Sequence, residues 1–297
     1  MNGILIIDKP EGMTSHDVVQ AIRKKFRTSK VGHLGTLDPM ATGVLPVSVG
    51  KATRIAQFVP SFPKEYEGEI RFGFATDTYD REGIPTSEER PLEGSVEAAM
   101  RTLTGDLNQV PPSYSAKKIG GVPSHKLARR NEAVEIAPSR VEVRTFEMLS
   151  LTPPLMTFRV VCSPGTYVRS LAHDLGQILG CGAHLTVLRR TRSGDFRLED
   201  AVKLDNASPE NLIPMERVLE FMPGMEVSGT DETKVRHGNP ILSDAADQLV
   251  RIFNKQGQFI AVGSVENGWV SPRLVLTSTT SDESKMLSSI LEKEIGK

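Results

Sequence analysis

Cysteine is almost absent from this chain of 297 residues: Cys162 and Cys181 are the whole complement. Two thiols cannot build a disulfide framework or a four-thiolate metal site, so both are expected to be reduced and buried. The six histidines show no His-x-x-x-His pair beside a carboxylate, and no metal is expected. Aromatic residues amount to only 5%, with a single Trp. That sets aside a carboxylate-based glycoside hydrolase, which needs two spaced acids and a sugar-binding aromatic surface. No apolar run approaches the roughly 18 residues that cross a bilayer. Met1 to Lys9 lacks the basic region and long apolar stretch of a secretory signal. A cytoplasmic protein with no membrane partner is expected. Nucleotide-binding fingerprints are missing too, so no cofactor is expected.

What is present is ordinary for a globular protein: 38% apolar and 25% charged residues. The length suits about two domains. A net charge of −1 argues against indiscriminate nucleic-acid binding. The charge is segregated, however. Residues 1–60 hold eight Lys/Arg against four acids, an excess of +4. Further basic clusters sit at Lys117-Lys118, at Lys126 with Arg129-Arg130, and at Arg189-Arg190 with Arg192. Such clusters in a neutral chain suit a face that meets phosphates, although any one of them is more simply a solvated helix face.

Along the chain, Gly3 to Ile7 reads as a strand, and Thr14 or Ser15 caps a helix to about Phe26. Residues 29–43 read as an irregular loop, Val44 to Val49 as a buried strand and Thr53 to Phe58 as a helical turn. Residues 64–75 alternate, with Tyr66, Gly68, Ile70, Phe72 and Phe74 on one face. Asp77 to Gly83 reads as a turn. Ser95 caps a helix closed by Gly105, and Ser124 begins another short one. Val141–Leu151 and Met156–Cys162 are expected to pair, followed by a helix over Thr166–Leu179 and a strand over His184–Arg190. The pattern predicts an α+β domain around a mixed sheet. Ser208 to Leu219 reads as a helix and Phe221 to Gly224 as a boundary. Short strands at Val250–Phe253, Gln258–Val262 and Trp269–Val275 then suggest a small β-barrel, and the tail from Ser278 is polar.

The most informative stretch is Gly32-His33-Leu34-Gly35-Thr36-Leu37-Asp38-Pro39-Met40-Ala41-Thr42-Gly43, which sets three glycines, a proline and two threonines around one carboxylate. Such a loop lets a ligand approach the backbone and holds its aspartate rigidly. Taken alone it is ambiguous, because most Asp-Pro pairs merely start a turn.

With Ile6-Ile7-Asp8-Lys9-Pro10 and Gly12-x-Thr14-Ser15 before it, the loop closely resembles the TruB family of tRNA pseudouridine synthases. The resemblance continues in order: Lys64-x-Tyr66, Gly73-x-x-Thr76-Asp77-Thr78-x-Asp80-x-x-Gly83 and Pro111-Pro112-x-Tyr114-Ser115-Ala116. It goes on through Gly165-Thr166-Tyr167-Val168-Arg169, Gly182-Ala183-His184-Leu185 and Leu188-Arg189-Arg190. It implies a pseudouridine synthase catalytic domain around a mixed, mainly antiparallel sheet over residues 1–222. A PUA-like RNA-binding barrel over 226–277 and a polar tail over 278–297 would follow. The implied activity is isomerisation of uridine 55 to pseudouridine in the T-loop of tRNA, by base flipping and cleavage and re-formation of the glycosidic bond.

The resemblance also assigns roles. Asp38 becomes the invariant aspartate, nucleophile or electrostatic partner of a sugar-centred cation. Arg169 becomes its arginine partner, otherwise a surface arginine at a helix start. Tyr66 becomes the tyrosine that stacks on the flipped base and accepts a proton, otherwise a core aromatic on its strand face. Tyr167 would be a second pocket tyrosine and Leu188 an apolar wall, though any strand leucine reads the same way. His33 would intrude into the RNA loop and take the vacated stacking position. Asp80 and Lys118 would also contact the RNA. His125 departs from the family, whose members usually have tyrosine there. The implied partner is the T-arm stem-loop of tRNA, bound by a monomer.

Two other readings remain open. A guide-dependent relative expects long basic terminal extensions, whereas this chain begins directly at its first strand. A non-enzymatic tRNA-binding chaperone would not need Asp38, Tyr66 or Arg169, and all three are present.

Overall fold

The computed structural model describes residues 1–61, 63–114, 118–119, 122–123 and 136–276. The helix expected from Ser124, the basic residues Lys117, Lys126, Arg129 and Arg130, the side chains of Lys118 and His125, and the tail 278–297 lie outside the described residues. The chain divides into two units. One comprises Leu5–Gly50 and Pro60–Leu212 with Met1; the other gathers Asn2–Ile4, Lys51–Val59 and the residues from Ile213 onward.

In chain order the strands are β1 (Gly3–Lys9), β2 (Val31–His33), β3 (Thr42–Val49), β4 (Lys64–Phe72) and β5 (Gly105–Gln109). A small hairpin follows, β6 (Lys118–Ile119) and β7 (Val122–Pro123), then β8 (Ser139–Thr152), β9 (Leu155–Cys162), β10 (Ala183–Ser193), β11 (Phe196–Arg197) and β12 (Val202–Lys203). Ten of these form one sheet with the path β12-β1-β3-β10-β4-β9-β8-β5; β2 pairs with β3, and β11 with β10. The β1–β12 and β3–β10 pairs are parallel. The β10–β4, β4–β9, β8–β9, β5–β8 and β2–β3 pairs are antiparallel. This is the mixed sheet of the α+β domain that the pattern predicted, mainly antiparallel as the resemblance implied.

The local reasons follow from the side chains. β4 buries Lys64, Tyr66, Gly68, Ile70 and Phe72 alternately, as a half-buried strand must. The Ser15–Phe26 helix starts with a capping box of Thr14 and Asp17 and buries Val18, Val19, Ile22 and Phe26. The Val168–Ile178 helix follows Gly165 and buries Val168, Leu171, Ala172 and Leu175, with Arg169 on the same side. Cys162 and Cys181 are both buried and unbridged.

Three expectations change. The 29–43 loop contains β2, whose Val31 and His33 pair with Val49 and Val47 of β3. Gly105, at φ +102°, opens β5 as well as ending a helix. Residues 208–219 are not one helix: prolines at 209 and 214 divide them into a 3-10 turn (Pro209–Asn211) and a four-residue helix (Met215–Val218).

The second unit carries β13 (Gly224–Val227), β14 (Ile241–Leu242), β15 (Leu249–Asn254), β16 (Phe259–Glu266) and β17 (Trp269–Val275) in the order β13-β15-β16-β17-β14. Among the described residues this path is open at β13 and β14, so it is half of the expected barrel. A helix at Gly229–Arg236, which the strand texture did not suggest, adds Val235 to a core of Val227, Ile252, Ile260 and Val270.

Candidate active site

Asp38 lies on the segment between β2 and β3, which is fastened from several sides. The Ser15 hydroxyl donates to the Leu37 carbonyl at 3.1 Å and accepts the Leu37 N–H at 2.8 Å. Lys9, fully buried, donates its ammonium to the carbonyls of Pro10 (2.9 Å), Met13 (2.6 Å) and Pro39 (3.1 Å). The Gly12 N–H reaches the Pro39 carbonyl as well, at 2.9 Å. From β10, the buried Arg190 donates Nε to the Val44 carbonyl (2.7 Å), Nη1 to Thr36 (3.3 Å) and Nη2 to Gly35 (3.2 Å). Gly43, at φ +98°, is paired with Arg190, and a Cβ there would lie 2.2 Å from the Arg190 carbonyl oxygen. Only glycine fits that crossing.

Arg169 approaches the carboxylate from the start of the Val168–Ile178 helix. Its Nη2 donates to Asp38 Oδ1 at 3.1 Å. Its Nε lies 2.8 Å from Asp38 Oδ2, an ionic contact off the line of a hydrogen bond. Nη1 meets Asp80 Oδ2 at 3.3 Å and the Thr78 carbonyl at 3.0 Å, and Nη2 also meets the Tyr114 carbonyl at 3.0 Å. The Arg169 side chain is 5% exposed and that of Asp38 33%. The nucleophile candidate thus keeps an open face while its cation is enclosed.

Asp80 is not at the surface: its side chain is 6% exposed and holds Arg169, the Thr78 hydroxyl (2.6 Å) and the Glu82 N–H (3.0 Å). Its carboxylate thus lies in a turn folded back onto that arginine. Tyr66 is buried on β4, with Arg190 opposite it in register and Leu188 nearby opposite Gly68. Tyr167 is half-buried at the N-cap of the 168–178 helix. Buried Gln109 clamps its backbone, accepting the Tyr167 N–H at 2.7 Å and donating to its carbonyl at 3.1 Å. His33 is half-buried at the end of β2, and its buried Nδ1 has no hydrogen-bond partner among the described residues. Lys118 lies on β6, and its side chain is outside the described residues.

The sequence matches fall over this geometry. Residues 23–168 match the TruB family pseudouridylate synthase N-terminal domain. Residues 169–220 match the tRNA pseudouridylate synthase B C-terminal domain, and 223–276 the Pseudouridine synthase II TruB C-terminal domain. The chain belongs to the TruB family. It is 44% identical over 281 residues to the tRNA pseudouridine synthase B of Solibacter usitatus, covering 89% of this chain and 96% of that one. Against the tRNA pseudouridine synthase B of Pseudomonas aeruginosa it is 39% identical over 294 residues, covering 94% and 97%. A chain in a solved H/ACA RNP bound to a substrate RNA containing 2′-deoxyuridine is 27% identical, with a TM-score of 0.66 over 93% of this chain and 85% of that one.

Electrostatically, this TruB-family site is rich in buried cations. Burial pushes the Lys9 ammonium down to about 8, against the pull of the Asp38 and Glu11 charges. Lys64, whose Nζ donates to the Ser193 hydroxyl at 2.6 Å, is likewise pushed down to about 8 by burial and by Arg190. The Tyr66 phenol is pushed up by burial, with the Arg190 charge acting the other way. His33 is lowered by burial and Arg190, which favours the neutral ring.

Lys9, Arg190 and Gln109 are the residues that reasoning from sequence passed over. Lys9 and Arg190 stood inside quoted motifs, yet strand cations read as surface groups. Leu188 and Arg190 share a strand face, and that spacing was the available signal. Arg23, counted with the basic cluster, is half-buried and spends Nη2 on the Val31 carbonyl at 3.0 Å. Lys24, Arg27 and Lys30 remain exposed.

Proposed function

We propose that this chain isomerises uridine 55 to pseudouridine in the T-loop of tRNA, as a monomer in the cytoplasm. The observation that carries the reading is the half-open carboxylate of Asp38 held by an enclosed Arg169. The reaction breaks the C1′–N1 bond of the uridine, turns the uracil, and joins C1′ to C5; the hydrogen of C5 is lost and N1 gains one, so composition is unchanged. Asp38 serves as nucleophile or as anionic partner of the sugar cation. Arg169 orients and stabilises that carboxylate, and Asp80 holds Arg169. Tyr66 stacks on the flipped base and accepts a proton, with Leu188 and Tyr167 as pocket walls.

The target base must leave the stack, which costs a few kcal/mol and is offset by contacts in the pocket. His33 takes the vacated stacking position. Lys118 and the exposed Lys24, Arg27 and Lys30 meet stem phosphates, and residues 226–277 add RNA contacts of the PUA kind. Relatives at 39–44% identity are named tRNA pseudouridine synthase B, whereas the RNP-borne neighbour is 27% identical. That difference favours tRNA over a guided target.

The deciding experiment incubates an unmodified T-arm hairpin carrying tritium at C5 of its uridines with the wild type and with Asp38→Asn, without guide RNA. One equivalent of tritium from the wild type and none from the variant is expected. Tight binding without release by the wild type would overturn the reading in favour of a guided enzyme or a binding protein.

A further inference from the structure

Arg190 is among the largest fully buried side chains of the described residues, and no step of the reaction above employs it. On β10 it stands between Gly43 of β3 and Tyr66 of β4. Its three bonds to the carbonyls of Val44, Thr36 and Gly35 grip both ends of the Asp38 segment. The same residue stands opposite Tyr66 in the β10–β4 register, so its guanidinium brings a positive charge to that phenol. Its bonded partners are backbone carbonyls, and among the described residues no directly bonded carboxylate cancels the charge. A buried cation satisfied only by dipoles is costly, and apolar residues would fill the same volume at less cost. A planar fork also does what a lysine cannot, since it fixes several acceptors in one plane.

We propose that Arg190 is a positioning residue of the reaction: its guanidinium sets the Gly35–Thr36 segment, and with it Asp38, at a fixed separation from the Tyr66 hydroxyl, and presents a fixed positive charge to that phenol. The proposal rests on the reading of Asp38 and Tyr66 as the groups that meet the uridine. The groups facing Tyr66 are Arg190 from β10, Cys162 from β9 and Asp38 from its loop. Lys64 lies two residues along the same strand and shares its buried face. Of these, Arg190 is the charge that favours the phenolate while also bonding the catalytic segment.

The test compares the full-length wild type with Arg190→Lys and Arg190→Met in two independent measurements. The first places a polyfluorinated tyrosine at position 66, whose phenol titrates in a range where the fold is intact, and follows it by fluorine NMR. The second measures hairpin affinity and the single-turnover rate of tritium release. In Arg190→Met the probe is expected to titrate at higher pH than in the wild-type background, and in Arg190→Lys near the wild-type value. Both variants are expected to lose about 100-fold in single-turnover rate, the scale of an ångström of misplacement, with affinity for the hairpin held within about twofold. An arginine that only packs, without bringing its charge to the phenol, would leave the probe unmoved, and one without a hold on the Asp38 segment would leave the single-turnover rate unmoved. An unmoved probe in Arg190→Met, or an Arg190→Lys rate within about twofold of wild type, overturns the proposal. Should Arg190→Met fail to fold, the rate and affinity of Arg190→Lys decide. A wild type that releases no tritium defeats the functional reading instead, and the probe titration still decides whether Arg190 governs Tyr66.

Discussion

The sheet from β13 to β17 packs Val227, Ile241, Ile252, Ile260 and Val270 together, and the ion pair of Arg273 with Glu266 at 3.6 Å stands on its outside. The ten-stranded sheet takes Lys9, Lys64, Asp80, Arg169 and Arg190 into its interior. Burying charge is justified by stability only when every partner is in place, and apolar residues commonly do as well. The contrast therefore separates a region built for stability from one in which stability has been traded for fixed polar geometry.

The sharpest way to break this comparison is Arg169→Met. It leaves Asp80 buried without its cation and is expected to cost about 3–5 kcal/mol in urea unfolding. A loss below about 1 kcal/mol would mean the interior charges are not coupled as described. Next in size is His33→Ala. Loss of a stacking contribution of about 1–3 kcal/mol should slow turnover on a T-arm RNA by about tenfold or more, with thermal stability kept. Normal turnover would remove His33 from the RNA-facing set.

A smaller effect, of opposite sign, is expected at Asp174. Burial raises its carboxyl to about 6 from an ordinary 3.8, so the folded state holds a proton that the unfolded chain releases earlier. Stability from this group is present below the unfolded value and lost as pH rises through about 6. Asp174→Asn should therefore stabilise the protein by about 1 kcal/mol at neutral pH. The gain should shrink to nothing well below pH 3.8, where the carboxyl is protonated in both states. Melting curves at both pH values check the sign. Smallest of all, Arg236→Met on the Gly229–Arg236 helix of the second unit should cost no more than about 0.5 kcal/mol, the usual scale of an i,i+4 helix pair. A loss comparable to that of Arg169→Met would erase the contrast.

Much of this was legible in the residues. Alternation over 64–72 placed β4 and its buried face, and Thr14 with Asp17 placed the first helix. The Gly-rich loop placed Asp38 among groups that hold it. Burial of cations was not legible, because Lys9 and Arg190 are satisfied by carbonyls that only the fold assembles. Asp80 escaped for the same reason: its partner Arg169 is 89 positions away along the chain. Pro209 and Pro214, which lack the N–H donors a continuous helix needs, were visible in the sequence and mark where 208–219 divides.

The two cysteines have a use that follows from where they sit. Cys162 has no exposed surface and Cys181 only 2%, and burial pushes the Cys162 thiol up to about 11. Such a thiol is almost wholly un-ionised at neutral pH and out of reach of an alkylating reagent. Cys162 ends β9, between β4 and β8 of the large sheet. Its modification must wait for that sheet to open, so the rate at which it takes up a thiol label is a clock for opening of the catalytic sheet.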